Sequence, residues 1–439
     1  MRKVIFVFVL AALLITPVMA GGAKQSVGTT GGKPYAGVQL NVLDVSHLPS
    51  TGLRGYLGEF EESTGIKVNF EIEEASAIHT KKEVELSARS DAYDVMHIDI
   101  SNVTRYVTAG WVENLATFIN ASPEFDFNDI LESASDIFKV NNGIYGIPVT
   151  TETIVIYYRP DVFKELGLAP PKSPADLITV CEAIKNSGMN INPISLRGRQ
   201  GQGNNIFIWG IMLYPLGGGY YNNGLTALTL NSPETVESVK LYTRLVQEFA
   251  PPGCTDFTYT DAWTAFAQGQ VAMYIDSSNA GSNFQRPDTS TIVDKWDVAR
   301  VFTDEKGKYL PFHAHGVAIN NFSRKKEAAW EFVKWYTGKD MQRRLGEDIG
   351  YAGTARQSSK TSNAYRNMVG PNRWIEAVNE SMGNVRQDYR PVSFPEWPYI
   401  GDTIGAALQN VFMGDNAQTT MDEVQREMTA FFRQNGYLK

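Results

Sequence analysis

The 439-residue chain has only two cysteines, only five histidines, and no long apolar run beyond its first 15 residues. The two cysteines, Cys181 and Cys254, form a single possible pair, and their spacing does not by itself imply a disulfide. Cys181 falls on an apolar helix face with Leu177 and Ile184, which favours a buried thiol. Because a membrane-spanning helix needs about 20 apolar residues, no later segment predicts an anchor.

Motifs for nucleophilic catalysis and nucleotide binding are also missing. There is no Gly-x-Ser-x-Gly elbow and no P-loop, and Gly201-x-Gly203 lacks the third glycine of a dinucleotide-binding turn. The formal net charge of −8 argues against binding to nucleic acid or to anionic membranes. We therefore expect no cofactor and no nucleic-acid partner.

His313-Ala-His315 is the one spacing in the sequence that resembles a metal site. On a strand, two residues separated by one share a face, so both imidazoles could point the same way. Two histidines do not complete the three or four ligands that zinc requires. A structural or polar-cleft role is the simpler interpretation, and we expect no metal.

The first 20 residues are typical of an export signal. Arg2 and Lys3 precede an unbroken apolar run from Val4 to Ile15, and small residues before position 21 fit the site that a signal peptidase reads. No cysteine lies near this site to carry a lipid. We predict a cleaved signal peptide at 1–20, a glycine-rich flexible leader at 21–37, and a mature protein in the periplasm.

Alternating strand and helix patterns begin at Val38. The stretch 38–42 alternates apolar and polar residues as a strand does, 53–60 has helical spacing, and 68–72 alternates again. A strand, a helix and a strand within about 35 residues predict a parallel α/β unit. Further strands are predicted at 94–100, 154–158 and 271–275, and a largely helical stretch at 103–119. The mature length exceeds what one core comfortably serves, so two lobes are expected.

Five blocks in register resemble the bacterial family 1 extracellular solute-binding proteins. They are Phe60–Val68, Gly143–Pro148 with Tyr158-Arg159 and Phe163–Leu168 after it, Phe266–Met273, Gly316–Asn320, and Lys325–Phe332. The resemblance implies an α/β periplasmic binding protein of the two-lobed, type II (Venus-flytrap) kind, with a hinge and a ligand cleft between the lobes. It implies a first lobe of 38–148 and 277–345 and a second of 149–276 and 346–439.

A narrower resemblance points to the polyol branch of this family, whose members bind mannitol- or sorbitol-like alcohols. It rests on Ser195–Arg199 with Gln202–Asn205, Ala272–Ser277, Gly353–Gln357, and Arg390-Pro391 with Pro395–Trp397 and Ile400-Gly401. Arg199 and Gln202 depart from the branch, which has a lysine and a tryptophan there. Thr150-Thr151 stands where an aromatic and a glycine are usual. These departures fall near the expected pocket, so the exact ligand stays open.

The resemblance implies a non-catalytic, monomeric receptor of an ABC importer. Such a receptor captures a sugar or polyol and delivers it to the permease subunits in the membrane. Two other functions fit an exported protein of this size. A secreted glycoside hydrolase also combines carboxylates and aromatics in a cleft, and a surface scaffold needs no hinged cleft.

Three charged residues are the leading candidates for ligand contact. Asp276 ends a predicted strand, Arg197 lies in a glycine-rich loop, and Glu152 matches a glutamate of the polyol branch. Carboxylates and guanidinium groups can form paired hydrogen bonds to vicinal hydroxyls. Their structural alternatives are a cap or hinge bond for Asp276, a surface salt bridge for Arg197, and a solvated loop charge for Glu152. Arg197 together with Arg199 could favour an acidic sugar, since arginine forks suit carboxylates best.

The remaining candidates are amides, aromatics and charged groups expected near the cleft: Asn204, Asn205, Trp397, Tyr145, Asp44, His47 and Arg356. The two asparagines can donate to a ligand or cap the next helix. The two aromatics could cover the C–H face of a sugar, although core packing is the more frequent role of a single aromatic. The aspartate and the histidine follow the first strand, and the arginine belongs to a polyol-branch block.

Overall fold

The computed structural model describes residues 33–308, 312–369, 372–383 and 389–438. The predicted signal peptide and most of the predicted leader lie outside these residues. Within the described ranges, none of the helices combines the length and the hydropathy that a bilayer span requires.

The described strands are β1 (Gln39–Val45), β2 (Lys67–Glu73), β3 (Val95–Asp99), β4 (Lys139–Val140), β5 (Gly143–Ile144), β6 (Ile147–Tyr158), β7 (Asn192–Ser195), β8 (Val271–Ser277), β9 (Asp297–Arg300) and β10 (Phe312–Ile319). Five of them, β1, β2, β3, β6 and β8, overlap the strands that the sequence predicted.

The α-helices lie between and after these strands. They are α1 (Leu48–Leu53), α2 (Leu57–Thr64), α3 (Ala75–Ser87), α4 (Val103–Thr108), α5 (Ala116–Asn120), α6 (Glu132–Ile137), α7 (Pro160–Glu165), α8 (Pro174–Asn186), α9 (Asn205–Leu213), α10 (Pro233–Arg244), α11 (Tyr259–Ala267), α12 (Gly281–Phe284), α13 (Lys326–Thr337), α14 (Lys339–Ile349), α15 (Asn363–Val369), α16 (Asn372–Gly383), α17 (Trp397–Phe412) and α18 (Ala417–Gln434).

One long strand, β6, belongs to both lobes. Its first half pairs antiparallel with β10, which continues through β3 and β1 to β2. Its second half pairs antiparallel with β8 on one edge and β9 on the other, and β7 extends the sheet beyond β8. The change of partner falls between Thr153 and Ile154. All 12 residues of β6 are buried, which fits a strand covered on both faces.

The buried apolar side chains form separate cores on the two sides of this change. The first-lobe core draws on residues from Leu40 to Val149 and from Ala314 to Ala355. Two clusters in the second lobe draw on residues from Ile154 to Phe302 and from Tyr365 to Leu438. The mixed α/β, two-lobed fold that the sequence predicted is therefore present.

The chain crosses between the cores at places that differ from the predicted boundaries. Residues 277–302 were assigned to the first lobe, but Phe284 and Val298 are buried in the second, and β9 pairs with β6 there. The chain enters the first lobe only with β10, and Ala355 is still part of that core. Crossing points depend on strand pairing between distant segments, which local hydrophobic patterns do not reveal.

Two local predictions have clear outcomes. The helical stretch expected at 103–119 is interrupted, because Gly110 has a φ of +70° and the chain forms a bridge between Val112 and Asn320. Both cysteines are buried and free. Cys254 lies in the second-lobe core with its Sγ 3.3 Å from the carbonyl oxygen of Leu196.

Candidate functional site

A cavity of about 470 Å³ lies between the two lobes. The first lobe lines it with Ser46, His47, His79 and Asp99, the crossing strands with Thr150, Glu152, His313 and His315, and the second lobe with Arg197, Phe207, Tyr259, Trp263, Asn279 and Arg390. The carboxyl ends of β1 and β3 point into it, since His47 follows β1 and Asp99 ends β3. Such strand ends are where open α/β sheets form their crevice.

The second-lobe wall is built around a buried ion pair. Nε of Arg197 donates to Oδ2 of Asp276 at 2.7 Å, and Nη2 donates to Oδ1 of the same carboxylate. The remaining nitrogen, Nη1, donates to the carbonyl oxygen of Gly203. The guanidinium carbon lies over the rings of Phe207 and Tyr259, at 4.6 and 4.8 Å from their centroids. The two-point bond and the stacking hold Arg197 in one orientation.

Glu152 lies at the seam between the lobes, where β6 changes partner. Its Oε2 accepts hydrogen bonds from the Ser277 hydroxyl and from Nδ2 of Asn279. Burial opposes ionisation of this side chain, but the hydrogen bond and charge of His315, together with His313 and Ser277, lower the pKa of Glu152 to about 2. At neutral pH it is therefore a carboxylate that can accept hydrogen bonds from hydroxyls.

All five histidines of the chain gather at this cavity. His47, His79, His313 and His315 line it, and His97 stands directly behind His315. Nε2 of His97 is 2.9 Å from Nδ1 of His315, and Nζ of the buried Lys82 is 3.0 Å from Nδ1 of His97. A chain of polar contacts thus runs from the first-lobe interior to the crossing strand.

Three of the sequence-predicted residues, Arg197, Glu152 and His47, line the cavity. Asp276 stands behind Arg197 and is fully buried, with both oxygens occupied by the guanidinium. It positions the arginine instead of facing the cavity. His47 also caps α1, where its Nδ1 accepts from the backbone N–H of Ser50 at 3.2 Å.

The other second-lobe candidates do not line the cavity. Trp397 has no exposed surface and packs in the core against Tyr220. The amide of Asn205 donates to the carbonyl oxygen of Gly405 at 2.8 Å and so ties α9 to α17. Asn204 donates to the carbonyl oxygen of Gln200, within its own loop.

The remaining first-lobe candidates are also structural. Tyr145 packs against the first-lobe core. Asp44 is buried and accepts a hydrogen bond from the Tyr336 hydroxyl at 3.0 Å. Arg356 is fully buried, donates to the carbonyl oxygen of Thr337 at 2.8 Å, and lies over the ring of Phe125. Each of these groups is engaged by its own lobe and does not reach the cavity.

The structure adds cavity-lining residues that sequence reasoning missed: His79, Asp99, Tyr259, Trp263, Asn279, Tyr351 and Arg390. A signal existed for Asp99, which lies near the end of a predicted buried strand, as Asp276 does. No local signal marked His79 or Trp263, because their helices give no indication of which face meets the other lobe.

The suggestion of an acidic sugar loses its basis. Arg197 is occupied by Asp276, as described above. Arg199 lies outside the cavity and forms an exposed pair with Asp256, at 3.0 and 2.9 Å. Both arginine forks are thus directed at carboxylates of the protein itself.

Two relatives with named ligands align with most of the chain. A mannitol-binding protein of Pseudomonas aeruginosa is 23% identical, over 95% of this chain and 97% of its own length. An erythritol/L-threitol-binding protein of Mycolicibacterium smegmatis is also 23% identical, over 93% of this chain and 89% of its own length.

Solved structures agree with the observed fold. An ABC transporter solute-binding protein from Agrobacterium radiobacter, in complex with ribitol, superposes with a TM-score of 0.84 at 25% identity and covers 91% of this chain and 100% of its own. One from Agrobacterium vitis with bound D-mannitol has a TM-score of 0.83 at 22% identity and the same coverage. The family model described as bacterial extracellular solute-binding protein matches residues 46–343. This protein therefore belongs to the bacterial extracellular solute-binding protein family.

Proposed function

We propose that this protein is the periplasmic receptor of an ABC importer, which captures a polyol or sugar between its lobes and delivers it to the membrane permease. The observation that carries the proposal is the cavity of about 470 Å³, which both lobes and both crossing strands line with polar and aromatic side chains. The relatives named for mannitol and for erythritol or threitol, and the neighbour bound to ribitol, support a polyol.

The chemistry of the lining suits a neutral ligand with many hydroxyls. Glu152 offers carboxylate oxygens as acceptors, and Asn279 offers an amide. Tyr259 and Trp263 offer ring faces for the C–H surface of a sugar or polyol. Because Arg197 is already neutralised by Asp276, a neutral ligand leaves the charge balance of this wall unchanged.

The position of the cavity supports a hinged receptor. A ligand that touches both lobes stabilises the closed arrangement to the extent that it binds that arrangement better. The exchange of partners along β6 at Thr153 and Ile154 provides a place where the lobes can rotate. The protein then acts as a non-catalytic monomer that is exported through its N-terminal signal peptide, and the permease reads the closed, loaded form.

A ligand screen of the mature protein tests the proposal. Thermal unfolding is measured with tetritols, pentitols, hexitols, monosaccharides and short oligosaccharides, and each stabilising compound is followed by titration calorimetry. We expect saturable 1:1 binding of a polyol or sugar with no turnover. Release of product from a glycoside panel would replace the receptor with a hydrolase, and failure of every solute to stabilise the protein would favour a scaffold.

A matched pair of tryptophan variants locates the binding site. Trp263 is half-buried and lines the cavity, whereas Trp335 is half-buried against the first-lobe core. We expect Trp263→Ala to lower the affinity for the best ligand by about tenfold or more, because the contact with the ring is lost. Trp335→Ala should leave that affinity unchanged. Equal affinities in the two variants would show that the ligand binds elsewhere.

A further inference from the structure

Asp99 is a buried carboxylate with one oxygen left unpaired at the cavity. The residue ends β3 and is only 2% exposed. Its Oδ1 accepts a hydrogen bond from the backbone N–H of Ser101 at 2.7 Å, but among the described residues no donor lies within hydrogen-bonding distance of Oδ2. A buried charge without a partner costs free energy. The position is therefore suited to a bound cation or donor.

Imidazole nitrogens surround this oxygen. Nε2 of His79 and Nε2 of His97 lie 3.8 and 3.9 Å from Oδ2 of Asp99, which is too far for a hydrogen bond. Nδ1 of His315 lies 2.9 Å from Nε2 of His97. These spacings bracket the separation of about 3.3 Å that two ligand atoms have around a tetrahedral zinc ion with bonds of about 2.0 Å.

We propose that Asp99, His97 and His315, whose ligand atoms all lie within 4.8 Å of one another, bind a divalent transition-metal ion of the zinc type at the first-lobe wall of the cavity. Two imidazoles and one carboxylate, with the fourth position open, are a donor set for zinc and its neighbours, whereas calcium and magnesium prefer all-oxygen sites. Nε2 of His315 lies 3.7 Å from Oε1 of Glu152. A carboxylate behind a ligating histidine is the usual outer partner of such a site.

The positive charge of Lys82 repels the proposed metal ion and so lowers its affinity. Its Nζ is 3.0 Å from Nδ1 of His97 and 3.0 Å from the carbonyl oxygen of His97. When Nε2 of His97 holds the ion, Nδ1 carries the ring proton, and the carbonyl oxygen remains as the acceptor for the ammonium. The carboxylates of Asp99 and Glu152 offset the added charge. Removal of the ammonium should therefore strengthen metal binding.

A second group at the same wall, formed by Glu152, His313 and His315, has less suitable surroundings. The carboxylate of Glu152 already accepts hydrogen bonds from Ser277 and Asn279, whereas Oδ2 of Asp99 has no donor among the described residues. The two groups share His315, and His313 belongs only to the second. His313 therefore serves as the control residue for the proposed site.

The test is a zinc titration of chelator-stripped protein without any polyol, so that its outcome is independent of the proposed function. Calorimetry and thermal unfolding should show one Zn²⁺ per chain and a raised Tm. Asp99→Asn and His315→Gln should each weaken zinc binding by at least about 10- to 100-fold. Lys82→Met should strengthen it, and His313→Gln should leave it within about twofold.

Spectroscopy and a folding control complete the experiment. Bound Co²⁺ should give the visible absorption bands of a tetrahedral ion, and Asp99→Asn should abolish them. Far-UV circular dichroism establishes that each variant is folded. The proposal is overturned if zinc does not shift the Tm of the wild-type protein, or if His313→Gln loses zinc while Asp99→Asn retains it.

Discussion

The buried charges at the second-lobe wall of the cavity differ from those in the first-lobe interior behind the opposite wall. On the second-lobe wall, Asp276 and Arg197 are buried together and joined by two hydrogen bonds. In the first lobe, Asp44 and Lys82 are just as deeply buried, but among the described residues neither has an ion-pair partner within 4 Å. Burial raises the pKa of Asp44 to about 6 and lowers the pKa of Lys82 to about 8.

This difference separates two ways of building a receptor cleft. The second-lobe wall is preorganised around Arg197, because this guanidinium and Asp276 satisfy each other and two aromatic rings pack against it. The interior behind the first-lobe wall holds two charges that burial disfavours, Asp44 and Lys82, so their protonation responds to pH. Substitutions that remove a paired or an unpaired buried charge test this comparison.

The largest change in stability is expected when the buried ion pair of the second lobe is broken. Arg197→Ala leaves Asp276 buried without a partner and should lower the free energy of unfolding by about 3–5 kcal/mol. Arg199→Ala breaks an exposed arginine–aspartate pair in the same loop and should cost no more than about 1 kcal/mol. Chemical denaturation of both variants measures the difference.

A double substitution sharpens this result. Arg197→Met with Asp276→Leu removes both charges, and its loss of stability should be well below that of Arg197→Ala, because no charge is left buried alone. Similar costs for Arg197→Ala and Arg199→Ala would contradict the view of the second-lobe wall as a mutually dependent pair.

Replacing Asp44 in the first lobe should change the free energy of unfolding in the opposite direction, that is, raise it. Its folded pKa of about 6 lies above the value of about 3.9 for an unfolded aspartate, so the native state binds the proton more tightly. The raised pKa therefore contributes its full stabilisation of the folded state below pH 4, and this contribution is lost as the pH rises through 6. Asp44→Asn should therefore raise the free energy of unfolding at pH 7 by about 1–3 kcal/mol, with little change at pH 4.

Denaturant unfolding of wild type and Asp44→Asn at pH 4 and pH 7 measures this difference. The asparagine can still accept from the backbone N–H of Val45 and bond the Tyr336 hydroxyl, which keeps the local geometry. A variant that is less stable than wild type at pH 7, or a gain that is equal at both pH values, would show that the buried charge is not the cause.

The smallest effect concerns the seam between the walls. Glu152→Gln keeps the shape of the side chain but removes its charge. It should lower the affinity for the best polyol or sugar by about tenfold, or about 1.4 kcal/mol of binding free energy. Glu74 is an exposed glutamate on the rim of the same cavity. Glu74→Gln should change affinity by less than about twofold, as titration calorimetry can establish. A larger effect from the rim variant would place the ligand near the first-lobe surface.

Strand ends and loops in the sequence were a useful but incomplete guide to the site. Arg197 and Asp276 were both selected, each as a separate ligand contact, but they are 79 residues apart and bind each other. Asp99 was overlooked although it ends a buried strand in the same way. Trp397 looked like a stacking surface and is a core residue, because the helix that carries it turns that face inward.

The sequence alone determined the alternation of strands and helices, the two-lobed size and the family, because these depend on local periodicity and on motifs that lie in one order along the chain. The tertiary structure alone decided which polar groups meet at the cavity. His97 and His315 are 218 residues apart, and they come together because β3 and β10 are neighbours in one sheet. A contact of that kind depends on strand order and register, which no local pattern of residues specifies.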